Sequence, residues 1–164
     1  MNRNVFGTKS QKVKNELHAD LAWILDIAIR RSKVDFGLYY GSRTIADQMQ
    51  YFQEGKSKIN PGRYKNLEDL CEVAKHITIK NHPLYSKSRA VDLLVAEKYK
   101  GKKLTWDSIH LSYIAGVIQS VAQELYEMGE IKHVVRWGGD WNQNGVIALD
   151  QSLDDLVHFE LVKP

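Results

Sequence analysis

The sequence predicts an α+β domain. Two long stretches, Asn15 to Ser32 and Thr105 to Met128, repeat apolar residues at helical spacing. Short aromatic or aliphatic runs between and after them read as strands. Strands and helices do not alternate in the regular βαβ manner of a parallel sheet. The 164 residues suit a single domain spanning 1–164, and no repeat, low-complexity tract or linker divides them.

In the first helix, Leu17, Leu21, Ile24, Leu25, Ala28 and Ile29 form one apolar face. Phe36 to Gly41 is short and aromatic, a strand running into the Gly41-Ser42-Arg43 turn. Thr44 is placed to cap a helix reaching Glu54, with Ile45, Met49 and Phe52 on one face and Gly55 as its stop. Residues 55–66 are loop-like, Leu67 to Lys75 is a short helix, and Ile77 to Ser88 is irregular around Pro83. Ala90 to Ala96 reads as a buried strand interrupted by Asp92. The second long helix shows Ile109, Tyr113, Val117, Val121, Ala122 and Leu125 on one face and closes at Gly129. A strand at Val134 to Trp137, a polar loop from Gly138 to Asp155 and a last strand at His158 to Val162 complete the chain.

Apolar residues make up 43% and charged residues 26%, which excludes a disordered chain. The net charge of +3 is too weak to imply nucleic acid. Its distribution is uneven. Residues 1–65 hold 12 basic and 6 acidic side chains, and residues 135–164 hold 2 and 5. The lone Cys71 excludes an internal disulfide and sits among apolar neighbours, as a buried helical thiol would. No apolar run approaches the roughly 20 residues of a membrane span. Met1 to Lys12 has no apolar signal core, so synthesis in a cytoplasm is expected.

Four constellations carry chemistry. In Asp155-Leu-Val-His158, a histidine follows a carboxylate by three residues. Such positions face opposite sides of a regular strand, so Asp155 is expected in a turn before it. Asp92 is costly to bury unless paired or metal-bound. With His82 and His158 it makes two imidazoles and one carboxylate, the donor set of a catalytic zinc that keeps one position open. Asp155 would then handle the proton of a zinc-activated water. Six histidines allow other triplets. Arg43, at a strand-to-helix turn, is suited to bind a carboxylate or oxyanion. Asp140, Asn142, Asn144 and the Val146 carbonyl match the opening of a calcium loop, although position twelve is Gln151. Simpler readings of each exist: a turn aspartate, an ion-paired arginine, an Asn/Gly turn.

Together these blocks resemble bacteriophage endolysins of the L-alanyl-D-glutamate peptidase type, relatives of the VanY and VanX D-Ala-D-Ala peptidases. The similarity covers nearly the whole chain in order: His18-Ala-Asp-Leu21, Gly41-Ser-Arg43-Thr44, Gln48, Tyr51 to Ser57, Ala90-Val-Asp92-Leu93, Arg136-Trp-Gly-Gly-Asp140-Trp141 and Asp155 to Leu161. The resemblance implies a small antiparallel sheet with packed helices, a Hedgehog/DD-peptidase-like zinc fold. It implies Asp92 and His158 as zinc ligands, Asp155 as catalytic base, Arg43 on the substrate, and calcium at the Asp140 loop. The family's first ligand histidine lies seven residues before the aspartate, where this chain has Tyr85. His82 is the favoured replacement and His76 the reserve, while His18, His110 and His133 read as structural or exposed. Residues 60–79 read as an insertion.

The leading expectation is a zinc peptidase cutting L-Ala–D-Glu in peptidoglycan during host lysis, made in the host cytoplasm and released by a holin-type partner. The partner is peptidoglycan, nucleic acid is not expected, and a monomer is. The alternatives are a D-Ala-D-Ala carboxypeptidase and a non-catalytic metal-bound wall-binding module.

Overall fold

The computed structural model describes residues 4–96 and 105–164. It holds five helices, α1 (Thr8–Lys14), α2 (Ala19–Arg31), α3 (Ile45–Gln53), α4 (Leu67–Val73) and α5 (Ser108–Glu127), with a 3-10 turn at Pro61–Arg63. Four strands, β1 (Phe36–Tyr40), β2 (Ala90–Val95), β3 (Val134–Gly138) and β4 (Asp155–Val162), form one antiparallel sheet in the order β1-β2-β4-β3. The α+β expectation holds. No described helix is long and apolar enough to cross a membrane.

Strand alternation divides the sheet into two faces. Phe36, Leu38, Val91, Leu93, Val95, Val135, Trp137, Phe159 and Leu161 enter the main core beneath α2 and α5. The intervening Asp92, Arg136, His158 and Glu160 line a cleft on the opposite face. Register reinforces this, pairing Asp92 with His158 and Arg136 with Glu160. Central strands thus bury aliphatic side chains on one side while assembling polar ones on the other.

Helix ends follow local chemistry. Thr44 caps α3 in a reciprocal box with Asp47, and His18 caps α2 by accepting from Asp20 N–H. Helix α2, expected from Asn15, therefore starts at Ala19. The buried face of α5 also differs from expectation. Leu111, Ile114, Ala115, Ile118, Val121, Ala122 and Leu125 are buried, while Ile109 is 77% exposed and Tyr113 is 42% exposed. The stripe through Leu111 holds more apolar residues at three- and four-residue spacing, so it wins the core. Helix α1 was not foreseen. Its basic, polar sequence has little apolar periodicity, and it is held by tertiary contact: Ser10 Oγ accepts from Leu38 N–H of edge strand β1 at 3.0 Å.

A second, small core joins α4 to the irregular segment: Leu70, Cys71, Ala74, Ile77 and Tyr85. Cys71 is fully buried there, as its neighbours implied. Glu72 ties the unit together, accepting from Tyr85 Oη (2.7 Å), Arg89 (2.9 Å) and Lys75 (3.0 Å). Burial alone would raise the Glu72 carboxyl, but these donors hold it down at about 2. This unit occupies much of 60–79, and it carries a residue of the site.

Candidate metal and catalytic site

Three donors converge at the floor of the cleft. His76 Nε2 lies 3.3 Å from Asp92 Oδ1 and 3.3 Å from His158 Nδ1, and His158 Nδ1 lies 3.1 Å from Asp92 Oδ1. Asp92 comes from β2 and His158 from the adjacent position of β4. His76 arrives just beyond α4, where its backbone carbonyl accepts from Arg43 N–H at 2.8 Å. The residues expected as an insertion thus deliver one corner of the cluster.

The far nitrogen of each ring shows what the cluster fits. His76 Nδ1 is 2.6 Å from the Gly41 carbonyl, and His158 Nε2 is 3.1 Å from Glu160. Both oxygens only accept, so those nitrogens carry the hydrogens of the neutral rings. The lone pairs of His76 Nε2 and His158 Nδ1 then face each other and the Asp92 carboxylate. Three lone pairs at that spacing repel unless a cation sits among them. A tetrahedral zinc, with ligands at roughly 2.0–2.1 Å, sets its donors about 3.3 Å apart. The donor set and spacing therefore suit a divalent metal. In the metal-free protein burial lowers the pKa of the His158 ring, yet hydrogen bonds to Asp92 and Glu160 outweigh it and raise it. Burial would likewise raise Asp92, and the neighbouring His76 and His158 hold it well below the usual carboxylate range.

His82 does not join this cluster. Its Nε2 lies 3.0 Å from Glu68 and its Nδ1 accepts from the N–H groups of Leu84 and Tyr85. The ring also rests against Tyr85, with centroids 4.8 Å apart. The Ile79-to-Tyr85 turn is closed by Ile79 N–H donating to Tyr85 O, so His82 is carried toward Glu68 instead of Asp92. Sequence distance to Asp92 favoured His82. The decisive fact, a parallel bridge pairing Arg43 with Ile77, is a tertiary one. Tyr85, at the family's usual histidine position, serves Glu72.

Asp155 lines the same cleft as the first residue of β4, not in a preceding turn. The period-2 problem is solved by a bulge. Trp137 pairs with Phe159, yet the next residue, Gly138, pairs with Asp155. Leu156 to His158 are therefore extra on β4, and Asp155 and His158 reach one side. Trp137 Nε1 donates to Leu156 O at 2.8 Å and pins the bulge. Two glycines make room. A Cβ on Gly138 would stand 2.3 Å from Asp155 O, and one on Gly139 would stand 2.4 Å from the Trp137 ring. Burial raises the Asp155 carboxyl, with His158 opposing it.

Arg43 stands on the cleft wall. Its guanidinium lies over Tyr51 at 4.4 Å and near Tyr40 at 5.2 Å, and it donates to Gln48 Oε1 at 2.8 Å. Gln48, fully buried, is fixed in turn by donating to Ser57 Oγ and Ile59 O, both at 2.9 Å. Arg43 Nε is buried with no hydrogen-bond partner among the described residues, while the side chain lines the cleft. The cleft has a volume of about 960 Å³, large enough for a peptide.

The Asp140 loop is closed by its own oxygens. Asp140 accepts from the N–H groups of Asn144 and Gly145, and Asn144 Oδ1 from Val146 N–H. Asn142 and Asn144 both donate to Asp150. Gln151, at position twelve, bonds Trp141 N–H and the Gly138 and Leu153 carbonyls. Elsewhere, His18, Asp20 and His133 form a second, half-exposed group. Asp20 accepts from His133 Nδ1 at 2.7 Å and from Lys132 N–H at 3.1 Å, tying the start of α2 to the approach to β3. His110 lies 2.6 Å from Asp107, the cap of α5.

A family model for phage L-alanyl-D-glutamate peptidases matches residues 3–162. Among solved structures, the chain is similar to that of the Serratia marcescens L-Ala D-Glu endopeptidase ChiX. The two are 21% identical, with a TM-score of 0.63 over 98% of this chain and 92% of that one. At that identity the likeness speaks for the fold. No curated protein matches the chain.

Proposed function

The chain belongs to the phage L-alanyl-D-glutamate peptidase family, and from that premise we propose that it hydrolyses the L-Ala–D-Glu bond of peptidoglycan stem peptides with zinc held by His76, Asp92 and His158. The observation that carries the reading is the convergence of those three donors beside Asp155 in one cleft. Bound there, zinc supplies Lewis-acid polarisation of the scissile carbonyl and a water of lowered pKa.

The protein's own groups do the rest. Asp155 takes a proton from the attacking water and returns it to the departing D-Glu nitrogen. Its burial supports this role, because a raised pKa suits a carboxyl that must both accept and release a proton. Arg43, oriented by Gln48 and two tyrosine rings, presents its guanidinium on the cleft wall to a substrate carboxylate or to the developing oxyanion. Water adds its hydroxyl to the L-Ala carbonyl carbon as the C–N bond breaks.

The biological role we propose is wall digestion in host lysis, after synthesis in the host cytoplasm and release by a holin-type partner. Calcium at Asp140, Asn142, Asn144 and the Val146 carbonyl belongs to the same proposal. It is expected to change the fluorescence of Trp141, whose N–H is bonded within this loop, and a flat titration refutes it.

The test is mass spectrometry of digested peptidoglycan. New L-Ala carboxyl and D-Glu amino ends are expected. Release of D-Ala would establish the carboxypeptidase reading instead, and absence of any product would favour the binding module.

A further inference from the structure

We propose that Glu160 is a positioning residue that fixes His158 as a metal donor, and that Arg136 sets Glu160 for the task. This rests on the zinc reading above. Glu160 is only 4% exposed, a costly place for a carboxylate unless it is fully used. It is used on both sides. Oε2 meets His158 Nε2 at 3.1 Å, while Oε1 accepts from Arg136 Nε at 3.0 Å and from an Arg136 terminal nitrogen.

The geometry is dictated by the sheet. His158 and Glu160 are two apart on β4 and share a face, and Arg136 is directly opposite Glu160 on β3. The Arg136 guanidinium lies over the Trp141 ring at 5.4 Å, and that ring lies 5.3 Å from His158. Glu160 cannot be a metal ligand in this arrangement. It meets Nε2, whereas the converging donors meet Nδ1.

Two consequences follow. First, Glu160 selects the His158 tautomer. A carboxylate facing Nε2 demands a hydrogen there, which leaves the Nδ1 lone pair free to bind metal. Second, its negative charge raises the basicity of Nδ1. Arg136 occupies Oε1, leaving Oε2 for the imidazole, and offsets the charge of a buried acid. His76 is oriented differently, by the neutral Gly41 carbonyl. The two imidazoles are thus unequal, and His158 is the stronger donor.

The experiment measures zinc affinity by competition with a chromophoric chelator, in wild type, E160A and E160Q. Loss of such a partner typically costs roughly 10- to 100-fold in affinity. E160A is expected toward the upper end. E160Q keeps an acceptor without the charge and is expected about tenfold down. A second readout is the His158 Nε2–H proton resonance of the zinc-loaded protein. It is expected in wild type and E160Q, and lost to solvent exchange in E160A. If E160A does not fold, E160Q carries the test. Zinc affinity within twofold of wild type in E160A, or in E160Q where only that variant folds, overturns the proposal while leaving the zinc site intact. A wild-type protein that binds no zinc would overturn both.

Discussion

Replacing Gly138 by alanine should uncouple catalysis from metal binding. The added Cβ would stand 2.3 Å from the Asp155 carbonyl oxygen and 3.0 Å from its Cβ, whereas ordinary contact begins at 3.4 Å. One backbone must therefore yield by about 1 Å, and a misplacement of that size costs on the order of 100-fold in rate. The neighbouring ladder resists movement on the β3 side, because Trp137 is fully packed and its indole donates to Leu156 O. We expect Asp155 to be displaced, with a stability loss of about 1–3 kcal/mol from overpacking. Asp155 is outside the His76–Asp92–His158 group, so zinc content should stay at the wild-type level. The assay is the initial rate of new amino-terminus formation on purified peptidoglycan, beside metal analysis of the same sample. A folded G138A enzyme within threefold of wild-type rate would refute the claim that this glycine places the base.

Other consequences are as direct. His76→Ala should lose its equivalent of zinc on dialysis, while His82→Ala should keep a full equivalent; the reverse ranking would return the ligand role to His82. Asp155→Asn should lower kcat about 10²- to 10⁴-fold with zinc retained. The same substitution should raise the melting temperature of the metal-free protein at neutral pH. A buried carboxyl with a raised pKa favours folding while protonated and loses that contribution as pH rises, and the amide removes the penalty. Glu72→Gln should cost about 1–2 kcal/mol at pH 7, allowing for the partial exposure of the carboxylate. Because Glu72 is held at about 2 against an ordinary 4.5, its contribution is present above pH 4.5 and fades toward pH 2. Melting curves of the two proteins should therefore draw together across that window, and a constant gap would contradict the assignment.

Much of this protein was legible before its structure. Apolar spacing located α2 and α5, Thr44 and Gly55 bounded α3, and the aliphatic run around Asp92 marked a central strand. Those signals are local: a helix or strand repeats its pattern within a few residues, and a cap is read from one side chain. The blocks around Asp92, Asp140 and His158 likewise identified the family, because their residues lie together in sequence.

Tertiary structure decided the rest. Whether His76 or His82 reaches Asp92 depends on a turn closed by Ile79 and Tyr85 and on the bridge between Arg43 and Ile77, contacts that no spacing rule contains. The bulge that brings Asp155 and His158 to one side is set by β3 across the ladder, with Gly138 yielding the space. Ser10 holds α1 against β1 without any apolar pattern to announce it. The sequence alone determined which chemical groups were present and which strands and helices would carry them. Only folding determined which imidazole turns its lone pair toward Asp92, because that choice rests on hydrogen bonds to Gly41, Glu160 and Glu68 from distant parts of the chain.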